Sequence, residues 1–206
     1  MSTVPPTFPA SQLGDPPWEI ATLFPTQGQW NIHDYLALDT NHLVEFSHGR
    51  VEVLPMPTEL HQMIVAFLYE AIKIFVTSRK MGKVLFAPLK LRLSDDVVRE
   101  PDILFLKTEN KHHRGMKCWT GADLVVEVVS DDDPDRDWKT KRVEYAVACG
   151  PECWIVDPRG QTVTGFGLPE GANDYGEGGK FTAGQRAESL LLEGFTVLVD
   201  DVFSQT

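Results

Sequence analysis

Residues 123–145, DLVVEVVSDDDPDRDWKTKRVEY, join an apolar stretch directly to a charged one. The valines between Asp123 and Val129 are typical of a buried β-strand, yet Glu127 lies in the middle of them. A carboxylate among core residues is costly unless it is paired with a cation or binds a metal. Glu127 is therefore predicted to lie at a strand end, in an ion pair or in a functional site.

The charged half of this stretch predicts a helix that carries a lysine toward the strand. The helix is expected over about residues 134–148 and ends at Gly150, which a proline follows. Lys141 comes three residues after Trp138 and four before Tyr145, so it shares a helical face with two aromatic rings. We expect that face to pack on the sheet and to direct the ammonium group of Lys141 inward.

The neighbouring elements complete a mixed α/β core. Residues 58–79 have apolar side chains at helical spacing, with Thr58 as the N-cap. Further apolar runs predict strands before residues 123–145, at 83–94 and 97–106, and after them, at 152–158. The first of these is either continuous or broken at Pro88, and Pro101 marks the start of the second strand or a bulge within it. The resulting order is helix, strand, strand, strand, helix, strand.

Additions are predicted at both ends of this core. An N-terminal hairpin is expected over residues 43–55, with its turn at Ser47-His48-Gly49. Strands at 161–168 and 195–199 follow the core, and glycines between them indicate a flexible loop. The prolines of residues 1–28 predict an extended, poorly ordered segment, so that residues 29–206 form one domain.

The overall composition suits a globular protein, and its charge is unevenly distributed. The 206 residues are 42% hydrophobic and carry a formal net charge of −11. Residues 61–120 nevertheless hold 11 basic and 6 acidic side chains, a local excess that suits phosphate contact. The segment KHHRGMK (111–117) is a candidate for that contact, and an ordinary exposed loop is the alternative.

The cysteines and the N-terminus predict a cytoplasmic protein without a membrane partner. Cys118, Cys149 and Cys153 have no paired metal-ligand spacing, and their odd number argues against a disulfide framework. The chain shows no basic region followed by an apolar one at its start, and no apolar run near the roughly 20 residues that span a bilayer.

Three polar residues of the core are expected to meet. Asp102 follows Pro101, and if its strand neighbours that of Glu127, the two carboxylates can converge on one divalent cation. Lys141 would then supply a positive charge beside them. Two carboxylates, a metal and a lysine are the groups that phosphodiester hydrolysis needs. The alternative is that Lys141 neutralises Glu127 in a plain ion pair, with no chemistry involved.

The order of these motifs resembles that of the Uma family of restriction-endonuclease-like proteins, within the PD-(D/E)XK nuclease superfamily. The resemblance rests on three segments: EPDI (100–103), DLVVEVVS (123–130) and DWKTKRVEYAVACGPECWIVDP (137–158). The segment HGRVEVLPMPTELHQMIVAFL (48–68) is similar to the family's hairpin and first helix. The resemblance covers about residues 30–200 and implies an α-β-β-β-α-β restriction-endonuclease-like core.

The resemblance also implies roles for individual residues. Asp102 and Glu127 match the metal-binding acidic positions, and the backbone carbonyl of Val128 would be a further ligand. His61 matches a histidine of the family pattern and is a candidate catalytic residue that could approach the metal or the substrate; a capping or packing histidine is the alternative. The superfamily lysine would fall at position 129, where this chain has Val129. In the family this lysine is shifted to the following helix, which corresponds to Lys141.

Together these observations predict a Mg²⁺- or Mn²⁺-dependent endonuclease that hydrolyses DNA. A homodimer is also expected, because a duplex presents two equivalent backbones and the hairpin and C-terminal strands exceed what the core needs. Two alternatives remain open at this stage. One is a catalytically inactive relative that serves as a binding module, and the other is a metal-dependent hydrolase of a smaller phosphate ester.

Overall fold

The computed structural model describes residues 23–38, 40, 42–130, 136–148 and 150–204. Most of the predicted proline-rich segment, residues 1–22, lies outside the described residues, as do residues 131–135 of the acidic loop and Cys149.

The helices and strands follow the predicted order closely. The helices are α1 (Ile32–Ala37), α2 (Glu59–Ser78), α3 (Arg142–Ala148) and α4 (Val199–Phe203). A π-helical turn, Arg136–Lys141, leads directly into α3, and a 3₁₀ turn spans Lys111–His113. The strands are β1 (Val44–Ser47), β2 (Arg50–Val53), β3 (Gly82–Phe86), β4 (Lys90–Arg92), β5 (Val97–Arg99), β6 (Ile103–Lys107), β7 (Cys118–Trp119), β8 (Leu124–Val128), β9 (Glu152–Asp157), β10 (Thr162–Gly167), β11 (Gly176–Phe181), β12 (Arg186–Glu188) and β13 (Thr196–Leu198).

The central sheet has the strand order β11-β10-β9-β8-β6-β3 and is mixed. Strand β8 runs antiparallel to β6 and parallel to β9, with α3 in the connection between β8 and β9. Helix α2 covers one face with Ile64, Leu68 and Ile72, all fully buried. Tyr145 of α3 is buried on the other face. This arrangement confirms the predicted α-β-β-β-α-β core.

The N-terminal hairpin belongs to a second sheet, with the order β2-β1-β5-β4-β7. Its turn is formed by His48 and Gly49, whose φ angles of 48° and 77° are both positive, as a two-residue hairpin turn requires. The C-terminal strands β12 and β13 pair with each other. Phe195, just before β13, and Val202 of α4 are buried in the core that α2 covers.

Two predictions about strands are wrong, and the errors involve a proline and a group of glycines. The stretch 97–106 is two strands, β5 and β6, in different sheets. Pro101 has no N–H to donate, so the strand breaks there and Asp102 directly precedes β6. The glycine-rich loop contains the edge strand β11, where a Cβ on Gly178 would lie 2.6 Å from Cδ1 of Leu190, so that the leucine would have to shift.

Helix α2 is also long and apolar enough, by length and composition alone, to cross a membrane. The core helix of a soluble protein passes the same test, so this property is weak evidence for a membrane span. Within the described residues, the apolar face of α2 has its partner in the central sheet.

Candidate active site

Asp102 and Glu127 lie side by side at one end of the central sheet. Strands β6 and β8 are neighbours, as predicted, and Ile103 lies opposite Val126. The same register places Asp102 opposite Glu127, one residue further along each strand. The backbone N–H of Val128 donates a hydrogen bond of 2.7 Å to Oδ2 of Asp102. This contact holds the Asp102 carboxylate against the end of β8.

Lys141 reaches the same place from the turn that precedes α3. Its Nζ lies 3.2 Å from Oε2 of Glu127, and both residues are buried. The hydroxyl of Tyr145 donates a hydrogen bond to Oε1 of the same carboxylate. Val129 packs in the same apolar cluster as Tyr145, on the face of the sheet that the helix covers. A lysine from the helix therefore occupies the side of the sheet on which a lysine at position 129 would lie.

Glu45 is a central residue of the site that the sequence analysis does not identify. It is fully buried on β1, and its carboxylate lies 3.2 Å from Arg99, 2.6 Å from Arg136 and 3.5 Å from Lys141. Burial alone would raise the pKa of Glu45, but the three cations together hold it below its ordinary value. Glu45 thus links the hairpin sheet to the helical segment that carries Lys141.

The sequence contains a signal for Glu45 that resembles the signal for Glu127. Glu45 stands between Val44 and Phe46, which are both buried, so it too is a carboxylate inside an apolar strand. Glu52, on the other strand of the hairpin, also stands between two valines but is exposed. Its side chain is 61% exposed and pairs with Arg136 at the surface.

The two residues before Pro101 contact α3 and strand β1. Arg99 forms two hydrogen bonds of 2.7 Å with the carboxylate of Glu144, so β5 is held to the helix by a bidentate pair. Glu100 accepts a hydrogen bond from the backbone N–H of Val44. Burial raises the pKa of Glu100 to about 7, against the opposing effect of Lys90.

His61 lies in the first turn of α2, where Thr58 caps the helix. The hydroxyl of Thr58 accepts a hydrogen bond from the backbone N–H of His61, as the sequence predicts. The ring then extends toward the sheet, with Nε2 3.3 Å from Oδ2 of Asp102. His61 therefore contacts the carboxylate of Asp102 directly.

All four predicted side chains, those of Asp102, Glu127, Lys141 and His61, line one cleft of about 910 Å³. The same cleft also has an apolar lining. It is formed by side chains from the segment after β2, from α2 and from the end of β3: Leu54, Met56, Leu60, Tyr69 and Phe86. A largely apolar lining with a few convergent polar groups is typical of a ligand site.

The polar groups of the cleft fit a hard divalent cation that keeps water and substrate in its shell. Within the described ranges, no three His, Cys, Asp or Glu side chains converge as a complete metal cage. Mg²⁺ commonly takes only one or two carboxylates from the protein and fills the remaining positions with water and phosphate. Asp102 and Glu127 offer two carboxylates at adjacent strand ends, so the residues present fit such an ion.

The basic segment 111–117 lies elsewhere. Strand β6 runs from Ile103, next to Asp102, to Lys107, and the loop begins beyond that far end. The antiparallel pairing of β3 with β6 places Lys83 and the preceding Arg79 and Lys80 at the same end. At about 3.3 Å per residue, four residues of strand separate these cations from Asp102 by roughly 13 Å. These basic residues of segment 61–120 are therefore not close to the cleft.

Comparisons with known proteins agree with this fold and identify a family. A solved structure described as a putative nuclease belonging to DUF820, from Anabaena variabilis ATCC 29413, is similar to this chain with a TM-score of 0.70. The two share 16% sequence identity, and the match covers 85% of this chain and 98% of the other, so the likeness concerns the fold. Among curated proteins, none matches the chain significantly. Residues 32–200 match the family Uma2, described as "Putative restriction endonuclease", and the chain therefore belongs to that family.

Proposed function

We propose that this protein is a metal-dependent endonuclease that hydrolyses phosphodiester bonds in DNA. The observation that carries the proposal is the position of Lys141, whose ammonium lies 3.2 Å from the carboxylate of Glu127 although it comes from a helix. Lys141 thereby supplies a cation beside Glu127, where the superfamily lysine at the position of Val129 would supply one. Family membership supports nuclease chemistry at this end of the sheet.

The chain's residues suggest a division of roles. Asp102, Glu127 and the backbone carbonyl of Val128 would hold Mg²⁺ or Mn²⁺, which when bound polarises the phosphoryl group and lowers the pKa of a water. Lys141 would orient the attacking water or offset the negative charge that develops on the phosphate. His61, in contact with Oδ2 of Asp102, keeps that carboxylate in place.

The experiment is a plasmid-nicking assay with and without Mg²⁺ or Mn²⁺. The parent protein is expected to nick only with metal, and both Glu127→Gln and Lys141→Met should lose nicking. Lys139→Met is the matched control, because Lys139 is an exposed lysine two residues away on the same turn. Nicking by Lys141→Met at the rate of Lys139→Met would contradict the proposed role of Lys141.

A second candidate is a catalytically inactive member that binds a partner through the same scaffold. The contacts of Glu127 favour this candidate. Tyr145 donates to one carboxylate oxygen and Lys141 pairs with the other, so the carboxylate has partners without a metal ion. A filled metal site stabilises the folded state, whereas a plain ion pair does not respond to metal. Parent protein that folds, shows no response to metal and nicks no DNA would establish this candidate over the nuclease.

We also propose that the protein acts as a two-fold dimer. The support is the hairpin, whose strand β2 is at the edge of its sheet and exposes 61% of Val53. The Gln27 side chain already bonds the backbone N–H and carbonyl of Val51 on this strand, so a second copy would contact β2 through the exposed side chain of Val53.

A further inference from the structure

Resting on the proposed nuclease function, we propose that the cleft binds an unpaired nucleotide, whose base stacks on Phe86 beside Asp102. The enzyme would then prefer single-stranded DNA, or unpaired nucleotides within a duplex, over fully paired DNA.

Phe86 has a defined position next to the acidic residues. It is the last residue of β3 and lies opposite Ile103 of β6. The next residue, Ala87, donates its backbone N–H to the carbonyl oxygen of Asp102 at 3.1 Å. Phe86 therefore lies at the strand end that also carries Asp102, and both residues line the cleft.

The ring of Phe86 is supported and yet accessible. Tyr69 of α2 contacts it edge-on, with ring centroids 4.7 Å apart and an interplanar angle of 72°. Phe86 nevertheless remains 48% exposed, and it lines the cleft. A large aromatic side chain that packing holds rigid while much of it stays open suits stacking with a base.

Other exposed apolar residues surround the same cleft. Met56 is 79% exposed and Leu60 is 41% exposed, and both line it together with Phe86. Single exposed apolar residues are ordinary on a protein surface, but several around one concave site indicate a ligand with an apolar surface. The faces of a nucleobase provide such a surface.

The cations of the cleft are poorly suited to gripping a paired duplex by its phosphates. Arg136 pairs with Glu45 and Glu52. Arg159 forms a bidentate contact with Asp157. Duplex DNA carries one negative charge per about 1.7 Å of its axis, and proteins that bind it neutralise many of these charges. Among the described residues that line the cleft, the cations are already balanced by carboxylates, so base contacts must supply much of the affinity.

Only an unpaired base can make such contacts without a large cost. In a duplex both faces of each base are covered by its neighbours, and extrusion requires unstacking and unpairing. A base that is already unpaired avoids this cost, so the apolar lining of the cleft selects for single-stranded character.

The test compares cleavage and binding of three labelled oligodeoxynucleotides: a single strand, the same strand fully paired, and a duplex with an unpaired flap. With Mg²⁺ or Mn²⁺, the parent is expected to cleave the single strand and the flap at least about 10-fold faster than the paired duplex. Phe86→Ala should weaken binding of the single strand about 10-fold, as expected for the loss of one stacked base. Phe86→Trp should keep the preference, because it keeps a stacking surface.

Ile74→Ala is the matched control, because Ile74 is 72% exposed but does not line the cleft. Met56→Ala is the second variant, since Met56 lies between β2 and α2 and is 79% exposed, so its loss leaves the core intact. It should also weaken single-strand binding if the apolar lining contacts a base.

The outcomes separate this inference from the proposed function. Cleavage of paired duplex as fast as of single strand, or cleft variants that bind single strand like Ile74→Ala, would overturn the inference and leave the nuclease function standing. Parent protein that cleaves none of the three substrates with metal would overturn the nuclease function itself.

Discussion

At the scale of single residues, the site is a set of buried charges that balance one another. Lys141 lies between two carboxylates, 3.2 Å from Glu127 and 3.5 Å from Glu45. Glu127 is tolerated among valines because a cation and the hydroxyl of Tyr145 meet its two oxygens. Buried pairs of this kind contribute little net stability, but removal of one partner leaves the other charge uncompensated.

The two partners of this pair should differ in what their loss costs. Lys141→Met leaves Glu127 buried without that cation, and we expect the free energy of unfolding to fall by about 3 kcal/mol. Glu127→Gln should lower the free energy of unfolding by less. Lys141 retains its ion pair with Glu45, and the hydroxyl of Tyr145 can still donate to the amide oxygen. Urea unfolding of both variants measures the difference. Equal losses would show that Glu45 does not hold Lys141.

Glu45 should make the stability of the protein sensitive to acid. Its pKa in the folded state lies below the ordinary value of 4.5, so its contribution is fully present above about pH 4.5. The contribution is lost as the pH falls through the folded-state pKa, where the carboxylate takes up a proton. The difference in unfolding free energy between the parent and Glu45→Gln should therefore be large at pH 7 and shrink below pH 4.5. A difference that stays constant from pH 7 to pH 3.5 would contradict the depressed pKa.

At the scale of elements, local signals account for what the sequence predicts well. The apolar spacing and the Thr58 cap predict α2, and the His48-Gly49 turn predicts the hairpin. The split between β5 and β6 is harder to predict, because a proline in an apolar run fits a strand start, a bulge or a break. The edge strand β11 escapes prediction because glycine is disfavoured in strands, and the segment is held in the sheet by its pairing with β10.

The residues of the candidate site also differ in how well the sequence predicts them. Asp102, Glu127, Lys141 and His61 stand in motifs whose order is recognisable, so the sequence predicts them as a group. Glu45 does not stand in such a motif, and its three cations come from β5 and the π-helical turn. Its role depends on how the hairpin sheet packs against the helical segment that carries Lys141, which no local pattern encodes.

The cap of α2 offers a prediction at this scale. Thr58→Ala removes the hydroxyl that accepts from the backbone N–H of His61, and we expect a loss of about 1 kcal/mol in the free energy of unfolding. Thr58→Ser keeps the acceptor and should stay close to the parent. Thermal unfolding of the two variants provides the comparison, and a Thr58→Ser protein as unstable as Thr58→Ala would show that the hydroxyl does not cap the helix.

At the scale of the whole molecule, the cleft is lined by the ends of β3 and β8, the segment after β2, helix α2 and the turn before α3. Strands β6 and β8 bring Asp102 and Glu127, β1 brings Glu45, and the turn before α3 brings Lys141. The exposed basic residues Arg79, Lys80 and Lys83 lie at the opposite end of the central sheet from Asp102. The chain has a net charge of −11, and its exposed basic residues are not concentrated at the cleft.

The proposed dimer is also a property of the whole molecule. Light scattering at micromolar concentration should give twice the chain mass of 23.1 kDa. Val53→Lys places a charge on the exposed edge strand of the hairpin and should shift the mass toward the monomer without loss of the fold. A monomeric parent, or a dimer that Val53→Lys leaves unchanged, would count against pairing through this hairpin.

The central claim, a divalent-cation site at Asp102 and Glu127, is tested most directly by titrating Mn²⁺ against the melting temperature of the parent and of Asp102→Asn. A ligand that binds only the folded state stabilises it by about 2.7 kcal/mol at a concentration 100 times its dissociation constant. We predict that the melting temperature of the parent rises with Mn²⁺ and that of Asp102→Asn does not. A parent that does not respond, or an equal rise in both proteins, would contradict the claim.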